Sequence, residues 1–251
     1  MQKLANRSLE QEQMDAPGID PQVYAKVLAD LARVNRWTLT ARPISSFLSH
    51  ATRGLQAFSL LDVGFGHGDM LRAVARWAGR RGIAARLVGV DLNPLSETVA
   101  RRATPDTFGI DFRTGDYRDQ GDGFDFIVSS QVAHHMNMAE LQAFICFMET
   151  HAARGWLIND LERHIISHSA FPLLARLMGV HRIVREDGTL SIARSFRAPE
   201  WVAVLEDAGI APGTAHIRRH MPFRLSVQRI FSPPPAGLTV TVQPASMRSG
   251  A

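Results

Sequence analysis

The chain has 251 residues, 45% of them hydrophobic, which is enough to bury a sizeable core and fits one α/β domain with an insertion. Its 28 Lys and Arg against 24 Asp and Glu leave a formal charge of +4, and its one cysteine, Cys146, excludes an internal disulfide or a cysteine-rich zinc cage. The opening "MQKLANRSLEQEQMD" lacks the apolar core of a signal peptide, and no run of about 18 apolar residues is present to span a bilayer, so a soluble, cytoplasmic protein without membrane partners is expected.

Residues 1–20 are polar and are expected to form a flexible tail. In 21–51, "PQVYAKVLADLARV" and "TARPISSFLSHA" carry apolar residues at three- and four-residue spacing and predict two helices ahead of the main fold. From residue 58 strands and helices alternate: "FSLLDVG", "ARLVGVDL", "IDFRTGD", "FDFIVSS" and "GWLIND" read as buried strands, separated by helices such as "DMLRAVARWAGRRG" and "PLSETVARRA". The helix "MAELQAFICFMETHA" places Cys146 on what reads as its buried face. Residues 161–195 interrupt the alternation and predict a cap over the carboxyl ends of the strands. A helix, "PEWVAVLEDAGI", and two closely spaced strands, "TAHIRRH" and "FRLSVQRIF", complete a single domain over 21–231, and 232–251 reads as a proline-containing tail. The expected fold is a Rossmann-like mixed sheet of seven strands, mostly parallel with a C-terminal antiparallel hairpin and helices on both faces.

The positive charge is local. From Arg176 to Arg229 there are nine arginines and five acids, an excess equal to that of the whole chain. A solvated basic face accounts for it, with an anionic substrate or an acidic carrier as the alternative.

The chemistry concentrates in "LLDVGFGHGD", residues 60–69, where a strand runs into Gly64-x-Gly66-x-Gly68. A glycine turn after the first strand of an open α/β sheet lets the main chain approach a ligand closely. The dinucleotide fingerprint would put its third glycine at position 69, where Asp69 stands, and the Gly-Lys-Ser/Thr of a phosphate loop is missing. Carboxylates around the loop predict a ligand that lacks phosphate and carries positive charge, which Asp62 can meet. S-adenosylmethionine has an ammonium, a sulfonium and a ribose.

At these residues the sequence resembles the class I S-adenosylmethionine-dependent methyltransferases, over about residues 55–160 and more loosely to about 231. "LDVGFGHGD" is similar to the family's first motif, which implies cofactor contacts from Asp62, Gly64, Gly66 and Gly68. "VGVDLN" implies that Asp91, with Leu92 beside it, receives the ribose hydroxyls. "TGDY" implies adenine contacts from Asp116 and Tyr117, and in "FDFIVSSQVAHHM" Ser130 and Gln131 would line the cofactor.

Methyl transfer from a sulfonium rests on holding the nucleophile close and aligned. His134 and His135, just past the fourth strand, are candidates to deprotonate or orient a phenol or enol, with His135 preferred as the one expected to lie deeper. Asn159, Asp160 and Arg163 in "INDLERH" are candidates to hold substrate. His164, His168 and His181, taken with the histidine pair, raise a metal site, but without a nearby carboxylate trio none is expected. The resemblance favours O-methylation of a small phenolic, quinone or polyketide-like molecule in secondary metabolism, possessing an anionic group or held on a carrier. A nucleic-acid methyltransferase, suggested by the basic balance, lacks its D/N/S-P-P-aromatic segment here, and a non-catalytic subunit of the same fold is the third alternative.

Overall fold

The computed structural model describes residues 4–121 and 123–231, so the tail expected at 232–251 lies outside the described residues. Fifteen elements follow one another as α1 (Pro21–Trp37), α2 (Arg42–Ala51), β1 (Ala57–Val63), α3 (Asp69–Gly79), β2 (Ala84–Asp91), α4 (Pro94–Arg102), β3 (Asp111–Thr114), β4 (Phe124–Ser130), α5 (Met138–His151), β5 (Ala152–Leu161), α6 (Ile165–Leu177), α7 (Arg182–Arg194), α8 (Ala198–Asp207), β6 (His216–His220) and β7 (Arg224–Ile230). The seven strands form one sheet in the order β3-β2-β1-β4-β5-β7-β6. β1 to β5 pair in parallel, and β7 runs antiparallel to both β5 and β6. This is the mixed Rossmann-like sheet with a C-terminal antiparallel pair that the alternating apolar runs predict.

Local chemistry sets the helix starts. The Asp20 side chain accepts from the amides of Gln22 and Val23 ahead of Pro21, Asn93 caps α4 ahead of Pro94, and Asn137 with Glu140 closes a reciprocal capping box on α5. On one face of the sheet α5 and α8 bury Phe144, Ile145, Met148, Trp201 and Val204, and on the other α2 and α3 bury Phe47, Leu48, Leu71 and Trp77. A third, smaller core joins α1 to α6 and α7 through Val27, Val34, Ala175 and Val184, and roofs the carboxyl end of the parallel strands. No helix among the described residues is long and apolar enough to cross a membrane.

Two expectations are corrected. Residues 4–20 are not a free tail: Leu4 and Glu12 are buried, the Ser8 amide donates to the Ala193 carbonyl at 3.0 Å, and Asp187 receives the amides of Gln13 and Met14. Polar side chains that read as solvated are spent on α7. Cys146 is exposed, because the buried face of α5 is Leu141, Phe144, Ile145 and Met148, and a residue two positions from Phe144 lies on the opposite side of the helix.

Candidate active site

The glycine loop leaves β1 at its carboxyl end. Gly64 has φ +76°, and a Cβ there would stand 2.4 Å from Cγ2 of Val132, so only glycine fits. Gly68, with φ +74°, is the N-cap of α3, and a Cβ would meet the Phe112 ring at 2.8 Å. It does not border the cavity below, and its missing side chain lets α3 pack on β3. Asp91, at the end of β2, ties the loop in place: its Oδ2 accepts from the Gly66 amide and its Oδ1 from the Asn93 amide, both at 2.9 Å.

Above the loop lies a cavity of about 420 Å³, bordered by Asp62, Gly64, Gly66, Asp91, Leu92, Tyr117, Ser130 and Gln131, and by His134 and His135. Its lining carries six carboxylates (Glu12, Asp15, Asp62, Asp69, Asp91 and Asp187) and neither Lys nor Arg. That lining repels phosphate and attracts a cation. Asp62 is the sharpest case. It is 1% exposed, and neither carboxylate oxygen has a hydrogen-bond partner among the described residues. Burial first, then the negative charges of Asp69 and Asp91, hold its carboxyl well above the usual range. An orphaned buried acid at a glycine turn suits an ammonium group, and the residues present therefore fit S-adenosylmethionine. Burial also raises Asp91, against the two amides that it accepts.

Tyr117 packs edge-on against Phe144 and Phe147, with ring centroids 5.0 and 4.8 Å away, and borders the cavity. Asp116 does not. It caps the turn that follows β3 and is clamped by the Arg118 guanidinium, which holds its carboxyl below the usual range, between two residues, Gly115 and Tyr117, that do border the cavity.

The histidine pair occupies a single 3₁₀ turn, Ala133–His135. His134, the more buried at 2%, places Nδ1 2.7 Å from Asp160 Oδ1 and Nε2 3.5 Å from Glu12 Oε1. Burial opposes its charge, but Asp160 and Glu12 outweigh burial and raise its pKa to about 9. His135 is the shallower of the two, the reverse of expectation, with its side chain 28% exposed and Nδ1 2.9 Å from Asp15 Oδ2. Glu12, His134 and His135 bring one ligand atom each within 4.8 Å of one another. His164 and His181 use Nδ1 to cap α6 and α7.

The three expected substrate residues face inward and hold the cap. Asn159 donates to the Thr40 carbonyl and to Ser130 Oγ, both at 3.0 Å. Asp160 receives the His134 ring and the amides of His134 and Leu161. Arg163, 1% exposed, donates to the carbonyls of Leu4 and Ser195 and pairs with Glu200. None of the three borders the cavity, because the inward positions at the end of a central strand are already roofed by residues 4–20 and α7. Glu12, Asp15 and Asn35 were not expected there. Glu12 and Asp15 carry no local mark, since their side-chain partners lie more than 100 residues away in sequence.

A family model described as a methyltransferase domain matches residues 60–155. No curated protein matches the chain in sequence. Among solved structures, magnesium protoporphyrin IX methyltransferase (ChlM) from Synechocystis PCC 6803 with bound SAH is similar at 16% identity, over 87% of this chain and 90% of that one, with a TM-score of 0.53. The plantazolicin methyltransferase BpumL, in complex with a pentazolic desmethylPZN analog and SAH, is similar at 12% identity, over 84% and 96%, with a TM-score of 0.59. Residues 60–155 match the methyltransferase-domain family model, and the fold over most of the chain is that of methyltransferase structures that hold SAH.

Proposed function

We propose that the protein transfers the methyl group of S-adenosylmethionine to an oxygen atom of a small, largely apolar molecule of phenolic, quinone or polyketide type. The observation that carries this reading is a pair of chambers sharing a wall. The acid-lined cavity of about 420 Å³ meets a second of about 190 Å³, whose lining includes Leu31, Val34, Phe171, Leu174 and Phe223, and Gln131 and Ser191 border both. One chamber suits a cationic donor and the other an apolar acceptor. The names of the two similar structures, methyltransferases for magnesium protoporphyrin IX and for plantazolicin, agree with an acceptor other than nucleic acid.

The cofactor supplies an electrophilic methyl group on a sulfonium. Asp62, Asp91 and the loop from Gly64 to Gly66 hold it, with Leu92, Tyr117, Ser130 and Gln131 around it. α1 and α7 supply part of the wall of the site. The acceptor hydroxyl must lose its proton, and we assign that proton to His135. Its Nδ1 lies 2.9 Å from Asp15 Oδ2, and in the tautomer that donates there Nε2, 3.8 Å from Glu12 Oε1, is the nitrogen left to accept the proton. His134, held protonated by Asp160 and Glu12, cannot take a proton near neutral pH and serves to position Glu12 and the turn. Asn159, Asp160 and Arg163 act one layer behind the substrate.

Incubation with deuterium-labelled S-adenosylmethionine and a small-molecule extract, followed by mass spectrometry, tests the proposal. Label in low-mass apolar compounds, retained through mild alkali as an ether, is expected. Label confined to RNA or protein, or in no fraction, would contradict it.

A further inference from the structure

The second chamber holds a buried charge that forms no salt bridge among the described residues, with the carboxylates of Asp160 and Asp69 acting on it only at longer range. Among the described residues its lining of mostly aliphatic and aromatic side chains contains a single charged one, Arg224. Arg224 opens β7, opposite Leu161 at the carboxyl end of β5, so sheet geometry fixes its position at the floor of the chamber. It is 2% exposed. Nη1 donates to Gln131 Oε1 at 3.1 Å and Nη2 to Thr38 Oγ1 at 3.0 Å, both neutral partners, while Nε has no acceptor. No carboxylate among the described residues lies within salt-bridge distance of it. The contrast with Arg163 is instructive: that guanidinium is equally buried but is matched by Glu200 and a set of carbonyls.

A guanidinium out of water and without a counter-ion is costly, and its planar fork is suited to two parallel hydrogen bonds from a carboxylate. Burial lowers the Arg224 pKa, but only to about 10, so the charge persists at neutral pH. The surrounding wall, with Phe171 and Phe223 near the same floor, favours a flat ring over a sugar or a peptide. At about 190 Å³ the chamber is smaller than sites for drug-sized ligands, which matches one or two rings. Gln131 links the two halves: it borders the donor cavity and receives Arg224.

We infer that the acceptor is a one- or two-ring hydroxyaryl carboxylic acid, anchored by its carboxylate on Arg224 with its hydroxyl directed to the donor cavity. The inference rests on the methyltransferase function proposed above. Arg224 does not border the donor cavity, so a carboxylate held there is an anchor and the hydroxyl is the methylated group.

Calorimetry on the full chain loaded with S-adenosylhomocysteine tests this, using 4-hydroxybenzoate, 4-hydroxycinnamate and 6-hydroxy-2-naphthoate, each beside its neutral amide. At least one acid is expected to bind about tenfold or more tighter than its amide. In Arg224→Met that preference is expected to vanish while affinity for S-adenosylhomocysteine is unchanged, and Arg224→Lys is expected to restore part of it. Equal binding of acid and amide by the unsubstituted protein, binding of neither, or a preference that survives in Arg224→Met would overturn the inference, and the first two need no variant. A methyl ester as product, instead of a methyl ether, would also overturn it. Failure of S-adenosylhomocysteine to bind at all would instead defeat the methyltransferase function on which the inference rests.

Discussion

Replacing Asp160 by Asn should destabilise the protein most at acidic to neutral pH and progressively less as the pH rises. His134 is shut between Asp160, 2.7 Å from Nδ1, and Glu12, 3.5 Å from Nε2. Its rise from 6.5 to about 9 corresponds to about 3 kcal/mol in favour of the protonated, folded form. Because the folded value is the higher one, this stabilisation is complete below pH 6.5 and is lost as the pH passes through about 9. Asp160→Asn keeps the shape but removes the stronger of the two charges and leaves Glu12 alone, a loss of about 2–4 kcal/mol near pH 6. Urea unfolding followed by tryptophan fluorescence at about pH 6, 7.5 and 9.5 measures both quantities. The unsubstituted protein should weaken across that window, and the difference between it and the variant should narrow. A flat profile for the unsubstituted protein, or a variant within about 0.5 kcal/mol of it at pH 6, would refute the description of His134 as a buried imidazolium.

Asp62→Asn should make the free protein more stable by about 1–3 kcal/mol at neutral pH, because the raised folded pKa of Asp62 costs stability as pH rises above its unfolded value and the amide has no such cost. The same change should weaken S-adenosylhomocysteine by about tenfold or more in calorimetry, and a gain of stability with undiminished affinity would count against the ammonium contact. Gly64→Ala forces a Cβ to 2.4 Å from Val132 at φ +76° and should cost about 2–4 kcal/mol in thermal unfolding; a neutral effect would mean that the loop has room. Arg163→Gln should expose residues 4–20 to limited proteolysis, whereas a stable, protease-resistant variant with a raised KM would return Arg163 to substrate binding.

The strands were legible in the sequence, and so was the grouping of the glycine turn with the acids around one cavity, because each rests on local chemistry. An acid near the end of an apolar strand beside a glycine turn is placed at the carboxyl edge of the sheet, and Asp91 and Asp62 border the cavity there. The roof of the site was not legible. Glu12 and Asp15 sit in a polar stretch without periodicity, and what orders them is a set of carbonyl and carboxylate contacts with α7 about 170 to 190 residues away. Adjacency could not tell the two histidines apart, since their burial is decided by which Nδ1 meets Asp160 on the neighbouring strand. Arg224 was one arginine in a basic region until β5 and β7 paired and placed it at the floor of an apolar chamber.

The most direct measurement is a calorimetric titration of the full chain with S-adenosylhomocysteine, repeated on Asp91→Ala. Saturable one-to-one binding is expected, weakened about 30-fold or more when the carboxylate that organises Gly66 is removed. No binding to the unsubstituted protein, or equal affinity in the variant, would contradict the assignment of this cavity to the methyl donor.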